Sequence, residues 1–205
     1  MKIGIIGAGN IGGNLGKVWA AKGHEIAFGV REPQGEKIQA LLADIAAEHV
    51  QAMSVAEAGA FGEVLVIAVP WAAVRQVISE LGDVGGKIII DTTNRLGVPA
   101  PEDGNSAAED IAKMLPSARV FKAFNTMGWE TLLDPVFSGQ KATAFICGDD
   151  ADAKSVVMSL AGKIGLDVVD AGPLSNASAL EGMTKLWIGM MRLYGREIAF
   201  TIVKR

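Results

Sequence analysis

Two histidines and one cysteine are the whole stock of imidazole and thiol in these 205 residues. That scarcity excludes several chemistries. No Cys/His cluster has the spacing of a metal site. The lone thiol, Cys147, lies in the apolar run Ala144-Phe145-Ile146-Cys147 with no histidine near it, so it reads as a buried core residue rather than a nucleophile. His24 and His49 each stand immediately before an apolar run of strand type. In a parallel sheet that puts them at the edge opposite the ligand cleft, where neither can act as acid or base. No apolar stretch is long enough to span a bilayer. Lys and Arg are scattered and the net charge is −4, which makes nucleic acid and anionic membranes poor partners. The first residues run straight into a strand with no signal-peptide pattern, so a cytoplasmic location is expected. In that setting the sequon Asn176-Ala177-Ser178 is chance.

What the chain has in quantity is apolar residues, half of the total, and 25 glycines. Its length suits one domain with a large core. The most informative stretch is the first sixteen residues, MKIGIIGAGNIGGNLG. Ile3-Gly4-Ile5-Ile6 is apolar without alternation, as a parallel strand buried on both faces should be. The glycine pattern Gly7-Ala8-Gly9-Asn10-Ile11-Gly12 follows, and a helical pattern begins inside it. In a dinucleotide-binding turn Gly7 permits the tight turn, Gly9 lets a pyrophosphate approach the backbone, and Gly12 lets helix and strand pack closely. The amides of Asn10, Ile11 and Gly12 then face the phosphates from a helix N-terminus. The pattern alone is weak. Its place after a strand and before a helix is the context that supports a nucleotide site over a bare turn.

Helices and strands alternate along the rest. A helix is expected over residues 10–22, a strand over 24–29, a helix over 34–48 and a strand over 50–53. Where an NAD-binding chain carries a carboxylate for the ribose 2′-hydroxyl, this one has Gly29-Val30-Arg31. Arg31 can pair with a 2′-phosphate, which favours NADP, although a solvated Arg neutralised by Glu32 is the alternative. A capping box at Ser54–Glu57 opens a short helix, and a strand over 63–69 ends in Ala68-Val69-Pro70 at the sheet's switch point. Trp71 there either covers a nicotinamide or packs at a helix start. A helix to 81 leads to a strand over 87–91, then Thr92-Thr93-Asn94, small polar residues suited to a cofactor. Residues 95–105, with Gly97, Pro99, Pro101 and Gly104, are expected to form a flap. A capping box at Ser106–Glu109 opens the next helix, and a strand over 119–124 delivers Asn125 and Met127 to the same edge. Strands over 142–148 and 167–170 flank a helix capped by Asp149 or Asp150. A third capping box, Ser178–Glu181, is expected to open a long last helix bearing Trp187, Met190, Met191, Tyr194, Ile198, Phe200 and Ile202. It is too apolar for one wet face, so a homodimer built on Trp187, Met190, Met191 and Tyr194 is expected. The fold class is a doubly wound, mostly parallel α/β sheet of about eight strands. It forms a single domain over 1–205, with a core of 1–172 and a helical appendage of 173–205.

The motifs GAGNIG, GVRE, AVPW, DTTN, NSAAEDIAKMLPSARVFKAFNTMG, DAGPLSNASALE and GREIAF together resemble the NADPH:coenzyme F420 (deazaflavin) oxidoreductases. They also resemble the NADPH domain of six-transmembrane metalloreductases. The resemblance implies hydride transfer between NADP(H) and a deazaflavin or flavin. It implies NADPH phosphates at Gly7, Ala8, Gly9, Asn10, Ile11 and Gly12, and a 2′-phosphate at Val30 and Arg31. The nicotinamide is then expected near Ala68, Val69, Pro70, Thr92, Asn94 and Asn125, and the second substrate near Trp71, Asn125 and Met127.

Reduction of a carbonyl or imine usually needs a positioned proton donor, and the cleft offers none. A flavin-like ring takes hydride at one atom and can take its proton from solvent, so the chemistry reduces to stacking two flat rings. No catalytic acid or base is therefore assigned. A small imine reductase like pyrroline-5-carboxylate reductase, and a non-catalytic NADPH-binding sensor whose last helix docks a partner, are the competing readings.

Overall fold

Short apolar strands separated by amphipathic helices assemble into one sheet covered on both faces. The computed structural model describes residues 1–96, 105–203 and 205. The first half comprises β1 (Lys2–Ile6), α1 (Asn10–Ala20), β2 (Glu25–Gly29), α2 (Glu36–Ile45), β3 (Val50–Met53) and α3 (Val55–Phe61). Next come β4 (Val64–Ile67), α4 (Trp71–Glu80), β5 (Ile88–Asp91), α5 (Ala107–Met114) and β6 (Arg119–Lys122). A hairpin of β7 (Val136–Phe137) and β8 (Gln140–Lys141), which the sequence did not announce, precedes β9 (Thr143–Gly148). The chain closes with α6 (Ala151–Ile164), β10 (Asp167–Asp170) and α7 (Ala177–Tyr194).

The eight strands of the main sheet lie in the order β10-β9-β6-β5-β4-β1-β2-β3. All neighbours are parallel except β6 and β9. Alternate side chains feed two separate cores. Ile3, Ile5, Val64, Val66, Ile88 and Ile90 face one, while Ile6, Leu65, Ile67 and Ile89 face the other. Burial on both faces explains the unbroken apolar runs, each such side chain contributing about 1.5–3 kcal/mol. The order reverses between β1 and β4, so a crevice opens at their C-terminal ends.

Both early capping boxes form, at Ser54–Glu57 and Ser106–Glu109. Asp150 caps α6, and Asp149 instead accepts from the amide of Leu174 at 2.9 Å. Helix α2 is shorter than its periodicity suggested, ending where Ala46 turns left-handed at φ 51°. Of the expected flap over 95–105, residues 97–104 lie outside the described residues.

Three expectations about the C-terminus are corrected. Helix α7 starts at Ala177, and Ser178 and Glu181 do not form a capping box. Glu181 is buried and turned inward. The helix also stops at Tyr194, where Gly195 adopts φ 79°, so Ile198, Phe200 and Ile202 are not helical. That segment returns along β9, with Thr143 donating its amide to the Phe200 carbonyl and its hydroxyl oxygen accepting from the Ile202 amide. Trp187 is buried by the returning segment and donates to the Ile198 carbonyl at 3.0 Å. It therefore cannot contribute to an exposed dimer face.

Candidate functional site

The crevice begins at the β1–α1 turn. Gly7 has φ 103°, and a Cβ there would meet the Ala68 carbonyl oxygen at 2.4 Å. At Gly12 a Cβ would meet the Gly7 carbonyl oxygen at 2.1 Å, so helix and strand touch. Gly9 differs from both. A Cβ there would meet nothing within 4 Å, so nothing in the chain itself requires glycine at that position. Bare backbone facing open space, at the start of a helix with no side-chain cap, is a cradle for a group that approaches from outside. Asn10, Ile11 and Gly12 carry the first amides of α1, whose helical acceptors do not exist. A pyrophosphate fits both features.

Beside this turn, Ala8, Val30, Arg31, Glu32 and the start of α2 line an open cleft of about 570 Å³. Arg31 is exposed on its wall, and among the described residues no carboxylate pairs with it. Its guanidinium is available to an anion. The β1–α1 turn is tied to the end of β2, two residues before Arg31, by the 3.0 Å hydrogen bond from the Gly7 amide to the Gly29 carbonyl.

The other end of the crevice is formed by the ends of β4, β5 and β6. Ala68 and Val69 close the floor under Gly7. Pro70 precedes α4, and Trp71 opens it with its ring stacked under the Arg95 guanidinium at 4.5 Å. Arg95 is itself ion-paired with Asp110. Trp71 thus packs at a helix start, and it also lines a groove of about 520 Å³ with Arg75, Asp110 and Lys113. Thr92 is tied down, donating to the Ile67 carbonyl at 3.0 Å. Asn125 donates from Nδ2 to Asn94 Oδ1 and to Thr184 Oγ1, both at 3.1 Å. Among the described residues, three buried polar atoms at this end have no partner: Thr93 Oγ1, Arg95 Nε and Asn125 Oδ1. A buried polar atom left unpaired costs about 1–3 kcal/mol, so a hydroxyl and an amide oxygen in this state are suited to a ligand's polar groups. Met127, expected to meet the second substrate, is buried in the core cluster with Trp19 and Phe124. It presents little surface to the rim.

Sequence reasoning missed the groups behind this rim. Asp91, Lys122 and Glu181 form a buried ionic cluster directly behind Thr93. The signal was present, since Asp91 ends the apolar run Ile88-Ile89-Ile90 and Lys122 follows Val120-Phe121, and a charge in such a place must find a partner. Cys147 is buried as expected, and burial pushes its thiol up to about 11. His24 and His49 lie at the far edge of the sheet, next to Lys163 and the Ala20 carbonyl respectively. Among the described residues no group of His, Cys, Asp or Glu could hold a metal ion, and no helix is long and apolar enough to cross a membrane.

Fold and crevice together define a dinucleotide-binding α/β domain of the Rossmann type. Comparison narrows the class. The family described as NADP oxidoreductase, coenzyme F420-dependent, matches residues 2–95. The F420-dependent NADP reductase of Methanocaldococcus jannaschii is 28% identical over 93% of this chain and 92% of its own length. Metalloreductase STEAP3 of Rattus norvegicus is 28% identical over 89% of this chain, which spans only 36% of that longer protein. A solved structure from Arthrobacter sp. FB24, described as a candidate F420-dependent NADP-reductase, superposes with a TM-score of 0.90. It is 29% identical and the match covers both chains completely. The chain is thus similar to F420-dependent NADP reductases over nearly its whole length, and to one part of the longer metalloreductases.

Proposed function

We propose that this protein passes hydride between NADP(H) and a deazaflavin such as coenzyme F420, or a flavin-like ring, in the cytoplasm. The observation that carries the reading is the rim at the ends of β5 and β6. It pairs buried, unpartnered polar atoms on Thr93 and Asn125 with an absence of acid or base among Pro70, Trp71, Thr92, Thr93, Asn94 and Asn125. Such a rim positions rings and leaves protons to solvent. When bound, NADPH supplies the hydride from its nicotinamide ring. The amides of Asn10, Ile11 and Gly12 would hold the pyrophosphate and Arg31 the 2′-phosphate. Thr93 and Asn125 would orient the polar substituent of the nicotinamide. Trp71 would stack on the second ring system at the rim.

The deazaflavin itself is supported by the likeness to the Methanocaldococcus enzyme over nearly its full length. Turnover with a deazaflavin, a free flavin and a cyclic imine, run in parallel, tests it. NADPH oxidation by the deazaflavin or flavin supports the reading. Oxidation with the imine alone would indicate an imine reductase, and NADPH binding without turnover a sensor.

A homodimer through α7 belongs to the same reading. With Trp187 buried, its face would be Leu186, Leu193 and Tyr194, exposed at 56%, 77% and 70%. Apolar side chains so exposed on one helix mark an interaction surface. Sedimentation as a monomer at micromolar concentration would refute it.

A further inference from the structure

Asp91 and Lys122 are the last residues of β5 and β6 and neighbours in the strand register. Both side chains are wholly buried. Lys122 Nζ donates to Asp91 Oδ2 at 2.7 Å, to the Thr93 carbonyl at 2.6 Å and to Glu181 Oε1 at 2.8 Å. All three ammonium protons are thereby used. Asp91 Oδ1 accepts from the Thr93 amide at 2.8 Å, so the cluster grips both polar groups of the Thr93 backbone. Glu181, reaching in from α7, also accepts from the Ala107 amide at 2.7 Å.

Two carboxylates face one ammonium, which leaves one negative charge uncompensated. Ala107 opens α5, and a helix N-terminus offsets about half a charge. Arg95, a further cation on the rim, is committed to Asp110 and the Trp71 ring. A net negative charge therefore persists one peptide behind Thr93. Fold stability is a poor explanation for it, because the desolvation of buried ions largely offsets their attraction.

We infer that the Asp91–Lys122–Glu181 cluster sets the redox preference of the bound nicotinamide, favouring the oxidised, cationic ring over the neutral reduced one. The inference rests on the nicotinamide placement proposed above. When hydride leaves for the acceptor with its electron pair, the nicotinamide is oxidised and becomes positive while the acceptor is reduced. A fixed negative charge behind the rim lowers the energy of that product and of the transition state leading to it.

The test compares dissociation constants of NADP⁺ and NADPH by calorimetry, with 2′,5′-ADP as a probe that lacks nicotinamide. Glu181→Gln keeps an acceptor for Lys122 and Ala107 but removes one charge. The ratio of the NADP⁺ to the NADPH dissociation constant should rise by about tenfold, since buried charge pairs interact across several ångströms. Binding of 2′,5′-ADP should stay within about twofold, and the charge-conserving Glu181→Asp should keep the wild-type ratio. Asp91→Asn removes the other carboxylate and should shift the ratio the same way, which decides the matter if Glu181→Gln folds poorly. Equal losses for the two oxidation states, or no change in either variant, would overturn the inference while leaving the NADP site intact. Failure of the wild type to bind either nucleotide would overturn the site proposal as well.

Discussion

Asn94 and Asn125 bind one another across the ends of two adjacent strands. Asn125 Nδ2 donates to Asn94 Oδ1 at 3.1 Å, and Asn94 Nδ2 reaches the Asn125 carbonyl at 3.4 Å. The same Asn125 amide donates to Thr184 on α7, whose hydroxyl donates to the Asn125 carbonyl at 2.8 Å. The last helix and the ends of β5 and β6 are thus one hydrogen-bonded unit, and the Asn125 side-chain oxygen is its unpaired member. Replacing Asn125 by Leu should therefore impair the site more than a loss of one contact would suggest.

The glycines offer a separation of folding from binding. A Cβ at Gly12 would collide with the Gly7 carbonyl, whereas one at Gly9 would project into open space. Gly12→Ala should lower the melting temperature by several degrees, as a clash in the core does. Gly9→Ala should leave it nearly unchanged yet weaken NADPH by roughly tenfold or more, because the methyl would occupy the pyrophosphate's approach. Thermal melts with and without NADPH measure both. An unaltered NADPH shift in Gly9→Ala would remove the turn from the site.

Arg31 should decide between the two nicotinamide cofactors. A charge-assisted hydrogen bond contributes about 1.5–3 kcal/mol. Arg31→Ala should weaken NADPH by roughly tenfold or more and leave NADH almost untouched. Tryptophan quenching titrations of both cofactors provide the comparison. Equal losses would show that Arg31 does not meet a 2′-phosphate.

His24 gives the fold a predictable acid limb. Burial lowers its pKa first, and the neighbouring Lys163 lowers it further. The unfolded chain therefore binds a proton that the folded one resists. Stability from this source is complete above the ordinary histidine value of about 6.5 and is lost as pH falls through the lowered value. Melting temperature followed from about pH 7 to 5 should fall less steeply in His24→Gln than in the wild type. Parallel curves would contradict the assignment.

Most of the fold was legible because its signals are local. Unbroken apolar runs such as Val64–Ile67, glycine turns and two of the three capping boxes act within a few residues, and each appeared where expected. The glycine turn that shapes one end of the crevice was legible for the same reason. The failures were nonlocal. Ser178–Glu181 has capping-box spacing, but Glu181 finds a buried ammonium 59 residues away, and a charge-assisted bond there outweighs a cap. Trp187 looked like a partner-facing residue because the turn at Gly195, which brings Ile198 back over it, depends on contacts with Thr143. The apolar periodicity of Ile198, Phe200 and Ile202 served a segment laid along β9 rather than a helix.

Whether positioning alone drives the reaction is measured most directly by single-turnover stopped flow from NADPH to a deazaflavin. The wild type would be compared with His24→Gln, His49→Gln, Asn125→Leu and Lys185→Gln, the last an exposed lysine on α7 next to Thr184. Loss of a general acid or base costs a factor of about a hundred to ten thousand. Rates within about tenfold for the three ionisable-residue variants, with a large loss in Asn125→Leu, are what the rim of unpartnered Thr93 and Asn125 atoms predicts. Abolished transfer in one of those three variants, with NADPH still bound, would contradict it and point to acid–base reduction of an imine or carbonyl.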